Sequence, residues 1–300
     1  DADRARFAGM IRTNPGFDDT TMELAGLPDF ITEDPAVRAQ IIAWQTDWLE
    51  KARTPRGDTI DYFRVDTVKH VDGTTLRAFK NALTLKDPNF KLIGESWGDS
   101  ADNVLGLLRS GQMDALLDFS FKGIALNLVN GNIDAAEAAL ESRNAKIDNT
   151  ATVGQFLSSH DEDGFLSERL NGDEGKLKVA AALQMTVKGQ PVIYYGEEIG
   201  RSGKNADFGN GVDGTNRSDM PWDQVEAKAD LLAHYKKLLQ VRGKYSEVFA
   251  KGSHVKMAGG NADGHLFFTR AYGDQAVVVG LNPADQAKIV SLEVPFAPGT

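Results

Sequence analysis

Three apolar runs in this sequence end at a carboxylate: Phe63-Arg64-Val65-Asp66, Leu92-Ile93-Gly94-Glu95 and Phe156-Leu157-Ser158-Ser159-His160-Asp161. A β-prone run that stops at an acid places that acid where a strand hands over to a loop. Asp66 and Glu95 are about 30 residues apart, the length of one strand–helix–strand repeat, and Asp161 follows after about two more. A single Asp after a strand is most often a turn former or a helix N-cap. Three acids at repeat spacing instead converge on one face of a parallel barrel, where a catalytic site is built from strand ends.

Other chemistries are poorly served. The chain has no cysteine, which excludes disulfides, thiolate nucleophiles and cysteine-bound zinc. Its five histidines, His70, His160, His234, His254 and His265, include no pair at zinc-site spacing. A formal charge of −10 argues against nucleic acid or an anionic membrane surface as partner, whereas a neutral substrate is not repelled. No apolar stretch reaches the roughly 20 residues of a membrane span.

The elements that must position these acids alternate. Asp34-Pro35 caps a helix to about Arg53, with Val37, Ile41, Trp44 and Trp48 on one face. Strands are expected near 60–65, 91–94, 115–118, 152–157 and 191–195, with helices near 73–85, 100–110, 133–143, 174–188 and 226–243. Five strands in βα order predict an α/β fold, the last five strands of a (β/α)8 TIM barrel whose first three precede residue 1. Asp1 carries neither an initiator Met nor a signal pattern, so the chain is expected to be processed or a fragment. After residue 248 short strands at 265–270, 276–280 and 289–294 alternate with Gly, Asn, Asp and Pro, which predicts a C-terminal antiparallel β-domain, cut short.

Asp61-Tyr62-Phe63-Arg64-Val65-Asp66-Thr67-Val68-Lys69-His70 resembles the fourth-strand motif of the α-amylase superfamily of glycoside hydrolases. Gly94-Glu95-Ser96-Trp97 is similar to the fifth-strand motif, and Phe156 to Asp161 to the seventh. Tyr194-Tyr195-Gly196-Glu197-Glu198-Ile199-Gly200 with Met220-Pro221-Trp222 resembles the eighth-strand region. Leu27-Pro28-Asp29-Phe30 is similar to a motif near the end of the family's inserted loop domain. The resemblance therefore divides the chain into the end of that loop domain (1–33), a partial catalytic barrel (34–247) and a C-terminal β-sandwich (248–300). The family's Asp-x-x-x-Asn-His run after strand three is absent from these residues, and Ser159 stands where Asn is common.

The resemblance implies a retaining endo-hydrolase of α-1,4-glucosidic bonds in starch, glycogen or maltooligosaccharides, with Asp66 as nucleophile and Glu95 as acid/base. Retention needs these two carboxyls about 5–5.5 Å apart. Arg64, two residues before Asp66, points to the same strand face and would favour the ionised nucleophile. Glu95 is expected to hold its proton near neutrality through partial desolvation. Asp161 is implied to contact sugar hydroxyls, with His160 donating to the same ring. Lys69 and His70 are implied on the leaving-group side, which favours α-1,4 linkages, and Trp97 is the best aromatic for lining the cleft. Tyr62, Phe63, Tyr194, Tyr195 and Trp222 are further stacking candidates. A structural calcium ion taking the backbone carbonyl of His70 is also implied; no organic cofactor is expected. Alternatives are a cyclodextrin-degrading or transglycosylating relative, or a non-catalytic amylase-like binding protein. An extracellular or periplasmic location is favoured over a cytoplasmic one.

Overall fold

The computed structural model describes residues 5–101, 105–147, 152–207, 211, 213–294 and 296. They divide into two compact units, residues 1–99 with 103–117, and residues 100–102 with 118–300.

In the first unit, helix α1 (Pro35–Lys51) starts where the Asp34 carboxyl accepts the N–H groups of Ala36 and Val37 at 2.8 and 3.1 Å. Proline at the first helical position costs nothing there, because that N–H has no partner in any helix. The apolar face differs from expectation. Val37 and Leu49 are buried, but Trp44 and Trp48 are 37% and 53% exposed. The periodicity finds the helix, yet does not say which part of an apolar stripe meets a neighbour.

Strand β1 (Tyr62–Val65) is followed by helix α2 (Gly73–Lys86), strand β2 (Lys91–Gly94), helix α3 (Leu105–Arg109) and strand β3 (Ala115–Asp118). β1 and β2 run parallel, with Val65 opposite Gly94, and β2 pairs parallel with β3 through Ile93 and Ala115. Gly94 is required by close packing. A Cβ there would lie 2.7 Å from the Leu116 side chain and 3.0 Å from Val68.

The second unit contains helices α4 (Phe121–Val129) and α5 (Ile133–Asn144), strand β4 (Thr152–Gln155), helix α6 (Glu174–Thr186) and strand β5 (Gln190–Pro191). Helices α7 (Ala229–Lys244) and α8 (Ser246–Lys251) follow. β4 and β5 are parallel, Gly154 opposite Gln190. The sequence reading misses α4, since Gly123 and Asn127 interrupt its apolar pattern and both are poor helix formers.

Strands β6 (Ser253–Gly260), β7 (His265–Tyr272) and β8 (Gln275–Leu281) form an antiparallel sheet. Its inward residues Leu266, Phe268, Val279 and Leu281 join one core with Phe121, Leu128, Leu140, Leu177 and Phe249 of the helices. Two expectations change here. Residues 289–294 form no strand, with Ile289 fully exposed, and the third strand is instead β6. Alternation alone cannot make a strand without a partner edge.

Arg270 on β7 is fully buried, and no carboxylate is among its hydrogen-bond partners. Its guanidinium donates to the carbonyls of Thr186, Val248, Phe249, Gly252 and Ser253 at 2.6 to 3.2 Å. These oxygens belong to the ends of α6 and α8, where helical carbonyls lack an internal partner. Burial pulls the Arg270 guanidinium down to about 10.

Candidate active site

In the first unit the two motif carboxylates stand at the ends of adjacent parallel strands. Asp66 follows β1 directly and Glu95 follows β2, and the ladder continues past both strands. The Glu95 N–H donates to the Val65 carbonyl at 2.7 Å, and the Val68 N–H donates to the Glu95 carbonyl at 2.9 Å. Neighbouring strands are separated by about 4.8 Å, so the backbones of the two acids are held one strand spacing apart.

Their side chains sit differently. Arg64 Nη1 donates to Asp66 Oδ1 at 2.6 Å, as expected from their shared strand face, and the Asp66 side chain is 65% exposed. Glu95 is only 5% exposed, and its Oε2 accepts the backbone N–H of Thr67 at 2.8 Å. Thr67 has φ of 50°, the left-handed region that β-branched residues avoid. The carboxyl of Glu95 thus holds the strained residue directly after Asp66.

Lys69 and His70 lie in a single 3-10 turn, Val68–His70. Lys69 Nζ donates to the Trp97 carbonyl at 3.0 Å, and His70 Nδ1 lies 2.7 Å from the Asp19 carbonyl. The indole of Trp97 is 46% exposed beside them. Phe63 instead packs inward against Phe79 and Phe90.

His160 and Asp161 lie in the second unit, on the loop after β4. His160 Nε2 and Asp161 Oδ2 are 2.7 Å apart, and Arg217 donates to Asp161 Oδ1. Arg217 Nε also donates to the His160 carbonyl at 2.8 Å. Asn216 Nδ2 donates to the carbonyls of His160 and Glu162, and Asn205 Nδ2 to that of Asp161 at 2.7 Å. Three side chains of a distant loop therefore take up the polar backbone of this turn. Behind the same loop, Tyr195 is 44% exposed, with the Arg201 guanidinium 3.8 Å from its ring centre, and Trp222 is 74% exposed.

Residues 17–258 match the family "Alpha amylase, catalytic domain". The chain belongs to this family. It is 28% identical over 96% of its length to neopullulanase 2 of Thermoactinomyces vulgaris, covering 46% of that protein. It is 30% identical over 89% of its length to the periplasmic α-amylase of Escherichia coli K12, covering 41%. A cyclomaltodextrinase of Geobacillus thermopakistaniensis is 27% identical over 92% of the chain, which covers 45% of it. The chain spans about half the length of the curated relatives it matches. Among solved structures, an α-amylase from Geobacillus thermoleovorans in complex with acarbose superposes with a TM-score of 0.80 at 22% identity, over 99% of this chain and 65% of that one. That likeness shows the fold, an α/β barrel followed by a β-domain.

For this family member, several site residues escaped sequence reading. Asn205, Asn216 and Arg217 carry no signal except their polar loop just before Met220-Pro221-Trp222. Glu197 was quoted in a motif without a role, yet it is 2% exposed, and its Oε1 accepts the Tyr235 hydroxyl at 3.0 Å. A calcium shell needs six to eight oxygens. Among the described residues no group of three or more His, Asp or Glu could hold a metal ion, so the carbonyl of His70 alone does not make the site.

Proposed function

We propose that this chain carries the catalytic strand ends of a retaining hydrolase of α-glucosidic bonds in starch, glycogen or maltooligosaccharides. One observation carries the reading: two carboxylates end adjacent parallel strands, one exposed and paired with an arginine, the other buried. Asp66, with Oδ1 held by Arg64, attacks the anomeric carbon through its other oxygen. Glu95 has Oε2 engaged by Thr67 and gives the leaving glycosyl oxygen a proton from Oε1. The C–O bond breaks as the Asp66 ester forms. Glu95 then takes a proton from water, whose oxygen displaces Asp66 with net retention. His160 and Asp161 bind sugar hydroxyls and favour the distorted ring.

Lys69 and His70, fixed beside Trp97, support endo-action on α-1,4 linkages. A second reading, hydrolysis of cyclodextrins, is favoured by the relative named a cyclomaltodextrinase. Product analysis of the full-length protein on starch, pullulan and cyclodextrin separates the two. Faster turnover of cyclodextrin than of starch selects the second, and no α-glucan hydrolysis at all overturns both.

A further inference from the structure

Glu197 follows Gly196, whose φ of 79° turns the chain sharply after β5. The carboxyl is enclosed. Oε1 accepts the hydroxyl of Tyr235 on α7, itself 1% exposed, and the hydroxyl of Ser158 acts on the same carboxyl. Ser158 Oγ also accepts the N–H of Phe165 at 3.0 Å. That bond closes the loop from residue 158 to residue 165, on which His160 and Asp161 stand.

We propose that Glu197 is a positioning residue for the His160–Asp161 turn, acting through the hydroxyl of Ser158. This rests on reading Asp161 as a sugar-binding carboxylate. Ionised, Glu197 draws the Ser158 O–H toward itself, which polarises Oγ and strengthens the bond from Phe165. Protonated, it can offer its own O–H to Oγ and compete with that amide. The turn therefore has a tighter and a looser state, selected by one buried proton.

The surroundings leave this proton to Glu197. Burial raises the carboxyl to about 7, against the hydrogen bonds of Tyr235 and Ser158 and with help from Glu198. Arg201 does not neutralise it, being engaged with Tyr195, Asn216 and Ser218. Glu174, which faces Gly200 at the end of the same turn, is paired with Lys228.

The test labels phenylalanine amides with nitrogen-15 in the full-length protein, the Phe165 signal being assigned by its loss in Phe165→Leu. In the wild type the Phe165 amide should titrate with a midpoint near 7, and in Glu197→Gln it should be flat. Ser158→Ala should also flatten it, and should lower kcat on maltooligosaccharides about tenfold while KM changes little, because contacts of Asp161 strengthen in the transition state. An unchanged Phe165 titration in Glu197→Gln, or an unchanged kcat in Ser158→Ala, overturns the proposal. Loss of α-glucan hydrolysis from the wild type with the titration intact overturns the functional reading instead.

Discussion

Asp66 is constrained from both sides along the chain. Arg64 takes one carboxylate oxygen, and Thr67 leaves the strand in a left-handed conformation that costs on the order of 1–3 kcal/mol unless surroundings enforce it. The enforcing group includes Glu95, so the two acids are mechanically linked as well as chemically paired. Their roles still separate by leaving group. Asp66→Asn should abolish the glycosyl-enzyme with every substrate, whereas Glu95→Gln should still be glycosylated by an activated glycosyl fluoride. Azide should then speed turnover of the Glu95 variant and yield an α-linked azide. If azide rescues the Asp66 variant instead, the assignments are reversed.

A second residue-scale prediction concerns Glu197. Its folded value of about 7 lies above the ordinary 4.5, so the folded state keeps a proton that the unfolded chain has lost. The attached stability is complete at acid pH and is lost as pH rises through 7, by about 3 kcal/mol. Urea unfolding of wild type and Glu197→Gln, compared between about pH 5 and pH 8, should show the variant gaining relative stability with pH. Parallel curves would place the titrating group elsewhere. Asp66, Glu95 and Asp161 were legible because each ends an apolar run. Glu197 and Arg217 were not, since their work lies in contacts with Tyr235 and with the His160–Asp161 turn, far away in sequence.

At the scale of elements, local chemistry was the better guide. Asp34-Pro35 announced α1, and Asp72 plays the same part for α2, its Oδ1 accepting the N–H groups of Thr74 and Thr75 at 3.1 and 3.0 Å. Asp72 also ties α2 to Thr32 and Arg38 on the preceding segment. Asp72→Ala should therefore cost about 1–2 kcal/mol, at the upper end for a lost N-cap, and Asp72→Asn distinctly less. Equal unfolding midpoints for the two variants would show that the charge matters and the cap does not. What failed at this scale was pairing. Residues 289–294 alternate like a strand, but pairing depends on what lies alongside, and that is not written in the segment itself. β6 was missed for the converse reason: its Gly259 and Gly260 look like a turn, and β7 supplies the ladder.

At the scale of the molecule, barrel helices and C-terminal sheet of the second unit are not separable parts. Arg270 contributes no ion pair, yet it caps carbonyls from α6, α8 and the start of β6. Arg270→Met, similar in length but without donors, should destabilise the protein by about 3–5 kcal/mol, as expected when several buried polar groups lose their partner together. A loss under 1 kcal/mol by urea unfolding would mean that water replaces the guanidinium.

The position of that arginine also sets a timetable. The α6 end at Thr186 is synthesised more than 80 residues before Arg270 reaches it. At roughly 5–20 residues per second, the helix waits several seconds with its last carbonyl uncapped. Long-range closure of this kind slows folding and leaves apolar surface open meanwhile. The family match ends at residue 258, but a polypeptide released there would still be waiting. For a growing chain, the middle of this molecule is finished only by its end.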